Sequence, residues 1–168
     1  GDYFVINISC PNVKHKKYDV DETIGYIRQF CTKPLLVKLS PDLKDSEYIK
    51  LSKICLKNNI DGIILTNTMK VKEGGESGSQ KLYEKSNQVL SLLYKELDGK
   101  IPIIGCGGIL TGEQAYEKIC LGASLIQIYS GFVLKGPKII NEINQYLLDK
   151  IQEEKVESIS ELVGKHHK

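Results

Sequence analysis

The chain has no apolar run close to the roughly 20 residues that a membrane-spanning helix needs. It has no charge excess either. Its 23 basic and 21 acidic residues leave a net charge of +2, which gives nucleic-acid binding no compositional support. It has no C-x-x-C pair. The five cysteines, Cys10, Cys31, Cys55, Cys106 and Cys120, are odd in number, which argues against a disulfide framework or a structural zinc site and for free thiols in a reducing compartment. There is one methionine, Met69, and the first residue is Gly1. No targeting segment precedes the first apolar run, and the chain is expected to be a piece of a longer one, starting at or near a strand. No internal repeat or low-complexity stretch is evident. His15, His166 and His167 fall in lysine-rich polar stretches and are expected to be solvated, and no metal site is foreseen. What remains is ordinary: 168 residues, 41% hydrophobic and 26% charged, sized for one globular domain.

Two kinds of segment alternate along the chain. Short runs rich in Ile, Leu and Val predict strands at 3–8, 34–39, 62–65, 102–105 and 124–129. Between them, helical spacing predicts helices at 21–31, 45–57, 83–97, 111–121 and 137–151. Their apolar faces include Ile24, Ile27 and Phe30, then Tyr48, Leu51, Ile54 and Cys55, then Val89, Leu92, Leu93 and Leu97. Gly122 fits a helix C-cap, and Ser158 with Glu161 fits a capping box. The segment 66–81 is expected to be a polar, glycine-rich loop. Continuous apolar strands alternating with helices indicate a buried parallel sheet. The candidates are a doubly wound sheet or part of a (β/α)8 barrel, since a whole barrel takes about 250 residues.

In either architecture ligands gather beyond the carboxyl ends of the strands. All five ends are polar or glycine-rich. The first carries Asn7, Cys10 and Asn12; the second, Lys38; the third, Thr66, Asn67 and Thr68. Ser77 and Gly78 lie in the long loop. The last two ends are Gly105-Cys106-Gly107-Gly108 and Tyr129-Ser130-Gly131. Lys38, inside the apolar run PLLVKL, is either a lysine snorkelling at a rim or a cation held against an anionic ligand. The two glycine clusters are turns when taken singly, but together they match a barrel phosphate site built from backbone N–H groups. Cys10 follows a strand and precedes a proline, a placement that suits a nucleophile or base. Cys31, Cys55 and Cys120 lie on predicted helix faces and are expected to fill core, and Cys106 is given no role.

These segments occur in one order: NISCPN at 7–12, LLVKLSPDL at 35–43, DGIILTNT at 61–68, GGESG at 74–78, IPIIGCGGILTG at 101–112 and GASLIQIYSG at 122–131. The set resembles dihydroorotate dehydrogenase, the FMN enzyme of pyrimidine synthesis, over nearly the whole chain. The resemblance implies that residues 1–168 form the C-terminal part of a single FMN-binding TIM barrel domain, about its last five βα units. The implied reaction is oxidation of dihydroorotate to orotate. Cys10 takes a proton from the ring carbon beside the ring carbonyl, and hydride passes to flavin N5. Lys38 stabilises the anionic reduced ring. Asn7, Asn12, Asn67 and Thr68 would bind the substrate, with Asn7 also touching the flavin. Thr66 would hold the ring, and Ser77, Gly78, Gly107, Gly108, Tyr129 and Ser130 the ribityl phosphate.

The resemblance also bears on the electron acceptor. Cys10 matches the soluble members that use fumarate or NAD. The TNT and IQIYSG segments, the following helix and the basic tail GKHHK match the quinone-using class, so quinone is expected. That class implies a mitochondrial inner-membrane location for the full-length protein, the cytoplasm being the alternative. Glu76 and the stretch from Val13 to Val20 depart from the family pattern. Another FMN- or phosphate-binding barrel, such as a dihydrouridine synthase-like enzyme, is the competing reading. The isolated segment is expected to be inactive, because five strands cannot close an eight-stranded barrel.

Overall fold

The computed structural model describes residues 1–8, 19–72 and 74–168. The expectations for Cys10, Asn12 and His15 therefore lie outside the described residues. In chain order the elements are β1 (Phe4–Asn7), α1 (Val20–Phe30), β2 (Leu35–Leu39), α2 (Asp45–Lys57), β3 (Gly62–Leu65), β4 (Met69–Val71), β5 (Gly74–Glu76), α3 (Gln80–Leu97), β6 (Ile103–Cys106), α4 (Gly112–Cys120), β7 (Leu125–Gln127), α5 (Ser130–Lys135) and α6 (Lys138–Glu153). Two short 3-10 turns, Ile159–Leu162 and Lys165–His167, follow.

The five predicted strands form one parallel sheet in the order β1-β2-β3-β6-β7. Side chains alternate across it. Leu35, Val37 and Leu39 of β2, Ile63 and Leu65 of β3 and Ile103 of β6 share the main core with Ile24, Tyr48, Cys55, Leu90, Leu93, Leu97 and Ile119 from α1 to α4. The residues between them face the other way, where Leu36, Ile64 and Cys106 form a smaller cluster. Four helices on one face, with a second apolar layer on the other, is barrel architecture rather than the doubly wound sheet, which has helices on both faces. Strand order follows chain order, as in a barrel, whereas a doubly wound sheet reverses its order at a switch point.

Helix starts follow from their caps. Asp19 accepts from the backbone N–H of Asp21 and Glu22, Ser79 from Leu82, and Thr111 from Gln114. The Ser158–Glu161 capping box is present. Gly122 lies just past α4 with φ +117°, and its N–H donates to the Ile119 carbonyl.

Several expectations need correction. Residues 66–81 are not simply a loop: β4 and β5 pair antiparallel within them, and α3 begins at Gln80, where Ser79 caps it. The fifth strand stops at Gln127, and α5 precedes the last long helix. Phe30 is 72% exposed and stacks edge-on with exposed Tyr26 rather than packing inward. Cys55 and Cys120 are buried, but Cys31 sits half-buried at the C-cap of α1. His167 is not simply solvated: its ring stacks on Tyr94, and Nε2 lies 3.1 Å from the Leu121 carbonyl.

Candidate active site

A cleft of about 340 Å³ opens at the carboxyl ends of the strands. Its floor follows from strand alternation. Because Val37 and Leu39 enter the helical core, Lys38 between them must face the cleft, beside its register partners Asn7 and Ile64. Its ammonium donates to Gln127 Oε1 at 3.3 Å, spanning from β2 to β7. This half-buried cation is the only ionised side chain among the described residues lining the cleft.

The end of β3 forms one wall. Thr66 N–H donates to the Cys106 carbonyl at 2.8 Å, and Asn67 N–H to the Leu39 carbonyl at 2.8 Å, fixing the turn against both neighbouring strands. Thr66 is buried, and its hydroxyl donates to the Asn67 carbonyl. Asn67 Nδ2 donates to Asn7 Oδ1 at 3.2 Å, and Asn67 Oδ1 accepts from the Thr68 N–H at 2.9 Å. Side-chain amides and a hydroxyl thus gather from β1 and β3, offering both donors and acceptors. The β4–β5 hairpin packs over Thr68, whose Oγ1 lies 2.8 Å from where a Cβ on Gly75 would stand.

The opposite wall is made of glycine turns. Gly107 and Gly108 follow β6 with φ +105° and +70°. A Cβ on Gly108 would stand 2.5 Å from Tyr83 Cβ, so the turn lies directly on α3. Gly78 has φ +76°, and a Cβ there would meet Ser130 Cβ at 2.7 Å. Three loops therefore converge, with Ser77 and Gly78, Gly107 and Gly108, and Tyr129 and Ser130 all lining the cleft. Glycine turns beside hydroxyls, in a cleft whose lining charge is positive, suit a phosphate ester. The residues present therefore fit a phosphate-bearing cofactor.

Every described residue predicted for the site lines this cleft except Asn7, which joins it through Asn67. Sequence reasoning missed Gln127 and Cys106. A glutamine in the apolar run SLIQIY was the available signal for the first. Cys106 is buried on the cleft floor. Burial pushes its thiol above the usual cysteine range, while the ammonium groups of Lys38 and Lys118 pull the other way.

Comparison with known proteins fits this geometry. Residues 1–151 match the family described as dihydroorotate dehydrogenase. The chain belongs to that family. The dihydroorotate dehydrogenase (quinone) of Nautilia profundicola is 37% identical over 176 residues, covering 97% of this chain and 49% of the relative. The enzyme of the same name from Wigglesworthia glossinidia brevipalpis is 42% identical, covering 85% of this chain and 50% of the relative. A crystal structure of DHODH from Eimeria tenella in complex with ferulenol superposes with a TM-score of 0.90 at 27% identity, covering 99% of this chain and 54% of that one. The chain thus spans about half the length of the curated relatives it matches, and its five parallel strands form part of the family's TIM barrel. The mitochondrial location expected above is corrected: these curated dihydroorotate dehydrogenases come from bacteria, which have no mitochondria. No described helix is long and apolar enough to cross a membrane.

Proposed function

We propose that this chain belongs to an enzyme that binds FMN in the cleft, oxidises dihydroorotate to orotate and delivers the electrons to a quinone. The observation that carries the reading is the polarity of the cleft. One wall is built of glycine turns suited to a phosphate and the other of side-chain amides. Between them Lys38 is the lone ionised group among the described residues. A flavin, when bound, supplies a hydride acceptor.

The chain's own residues do the rest. Asn67, Thr68 and Asn7 hold the substrate ring and carboxylate by hydrogen bonds, and Asn12 joins them. Cys10 accepts the proton from the carbon beside the ring carbonyl. The Lys38 ammonium, held by Gln127, stabilises negative charge beside it. Thr66 supports the ring edge. Ser77, Gly78, Gly107, Gly108, Tyr129 and Ser130 bind the phosphate, mainly through backbone N–H groups. The choice of quinone rests on the names of the relatives and on the TNT and IQIYSG segments.

The test is anaerobic mixing of the FMN-loaded full-length protein with dihydroorotate. Flavin colour is lost in the wild type, and in Cys10→Ala the loss slows by about a hundredfold or more. If flavin binds but dihydroorotate never bleaches it, the substrate assignment is wrong. Reoxidation by a quinone, and not by fumarate or NAD, checks the acceptor.

A further inference from the structure

Directly behind the glycine turn lies a buried charge that the reaction does not use. Lys118 of α4 is fully buried. Its Nζ donates to Ser86 Oγ at 2.5 Å and to Asn87 Oδ1 at 2.8 Å, and lies 5.1 Å from the centre of the Tyr83 ring. All three partners belong to α3 and are neutral, and no carboxylate among the described residues forms an ion pair with it. Glu117, the adjacent acid on its own helix, instead accepts a hydrogen bond from the Tyr83 hydroxyl. From β6, the Cys106 thiol faces it, held neutral by burial. The same Ser86 hydroxyl lies 2.9 Å from the Tyr83 carbonyl and 3.3 Å from the Gly107 carbonyl. The ammonium is thus one hydroxyl away from the turn that faces the cleft.

A desolvated cation with no direct ion pair is costly even with the Glu117 charge nearby to favour it, and cores rarely keep one without a use. An anion bound on the far side of the turn would supply the missing partner. We propose that Lys118 is a positioning residue for the phosphate: it braces the Gly107–Gly108 turn through Ser86 and supplies, from behind it, the positive charge that a bound phosphate ester meets. The proposal rests on the reading that a phosphate-bearing cofactor sits in this cleft. It has a direct consequence. Burial lowers the Lys118 pKa to about 7, far below the usual lysine range. Binding an anion favours the charged form, so binding draws in a proton.

The experiment is titration of the full-length apoprotein with FMN and, separately, with riboflavin, which lacks the phosphate. For the wild type, FMN affinity falls about tenfold between about pH 7 and about pH 9, while riboflavin affinity stays flat. Calorimetry in buffers of different ionisation enthalpy records net proton uptake with FMN alone. In Lys118→Met the fall and the uptake both disappear, whereas Lys118→Arg binds tightly across the range. If Lys118→Met does not fold, wild-type calorimetry at about pH 8, where a phosphate ester with a second pKa of about 6 is already fully ionised, still decides. Zero proton uptake in the wild type, or the same pH profile in Lys118→Met, overturns the proposal and leaves the cofactor reading intact. Failure of the wild type to bind FMN overturns both.

Discussion

Lys118 of α4 is buried against α3, its ammonium held by Ser86 and Asn87. Its lowered pKa has a stability consequence. Between about pH 7 and the usual lysine range the unfolded chain holds a proton that the folded chain has lost, so stability should rise with pH across that window. Urea unfolding of the apoprotein at both ends of the window, set against Lys118→Met, should show this rise in the wild type and not in the variant. An identical pH trend in the two proteins would contradict it. Lys38 was legible because it interrupts the apolar run PLLVKL, whereas Lys118 lies in the helical stretch YEKIC and only the packing of α4 on α3 reveals its burial. Gln127 was hidden for a different reason: a polar residue in a short strand acquires meaning only once its register beside Cys106 and its reach to Lys38 are known.

Among the elements, the five strands and five long helices were legible because short Ile-, Leu- and Val-rich runs alternate with stretches of helical spacing. The β4–β5 hairpin was not, since MKV and GGE carry almost no alternation and three-residue strands give little pattern to detect. The glycine turns were legible as residue types, but their seat on α3 was not. Gly108→Ala tests that seat. With φ at +70° and a Cβ falling 2.8 Å from the Tyr83 backbone nitrogen, the turn or the start of α3 must move. The strain is about 1–3 kcal/mol, read as weakened FMN affinity at unchanged helix content by circular dichroism. A second element-level tie is Asp61, just before β3. Its Oδ2 accepts from the Leu35 N–H at 2.8 Å and from Arg28 Nη1 at 2.7 Å, joining β2 and α1. The Leu35 N–H first, and Arg28 after it, hold its carboxyl below the usual carboxylate range. That stabilisation is present above the unfolded pKa and is lost as pH falls through the lowered folded value. Asp61→Asn should therefore cost about 1 kcal/mol at neutral pH, with the gap to wild type closing in acid. An undiminished gap in acid would remove the carboxylate from the explanation.

For the whole molecule, the sheet explains where the site lies and what its edges expose. β1 and β7 are edge strands of a five-stranded sheet, and exposed Tyr3, Phe4 and Val5 at one edge and Leu125 at the other are apolar. Open edges of this kind recruit further strands. Expressed alone, these 168 residues should self-associate and lose FMN on gel filtration; a monomeric, yellow peak would contradict this. The direction of the sheet was legible from its buried strands, and barrel rather than doubly wound architecture was decided by α1 to α4 sharing one face. A crystal structure of the full-length protein with FMN and orotate would decide the matter. It should show the proposed arrangement, the phosphate on the amides of Gly78, Gly107 and Gly108, with the ring beside Lys38 and orotate between Asn67 and Cys10. A phosphate seated anywhere else, or Cys10 turned away from the orotate ring, would contradict it.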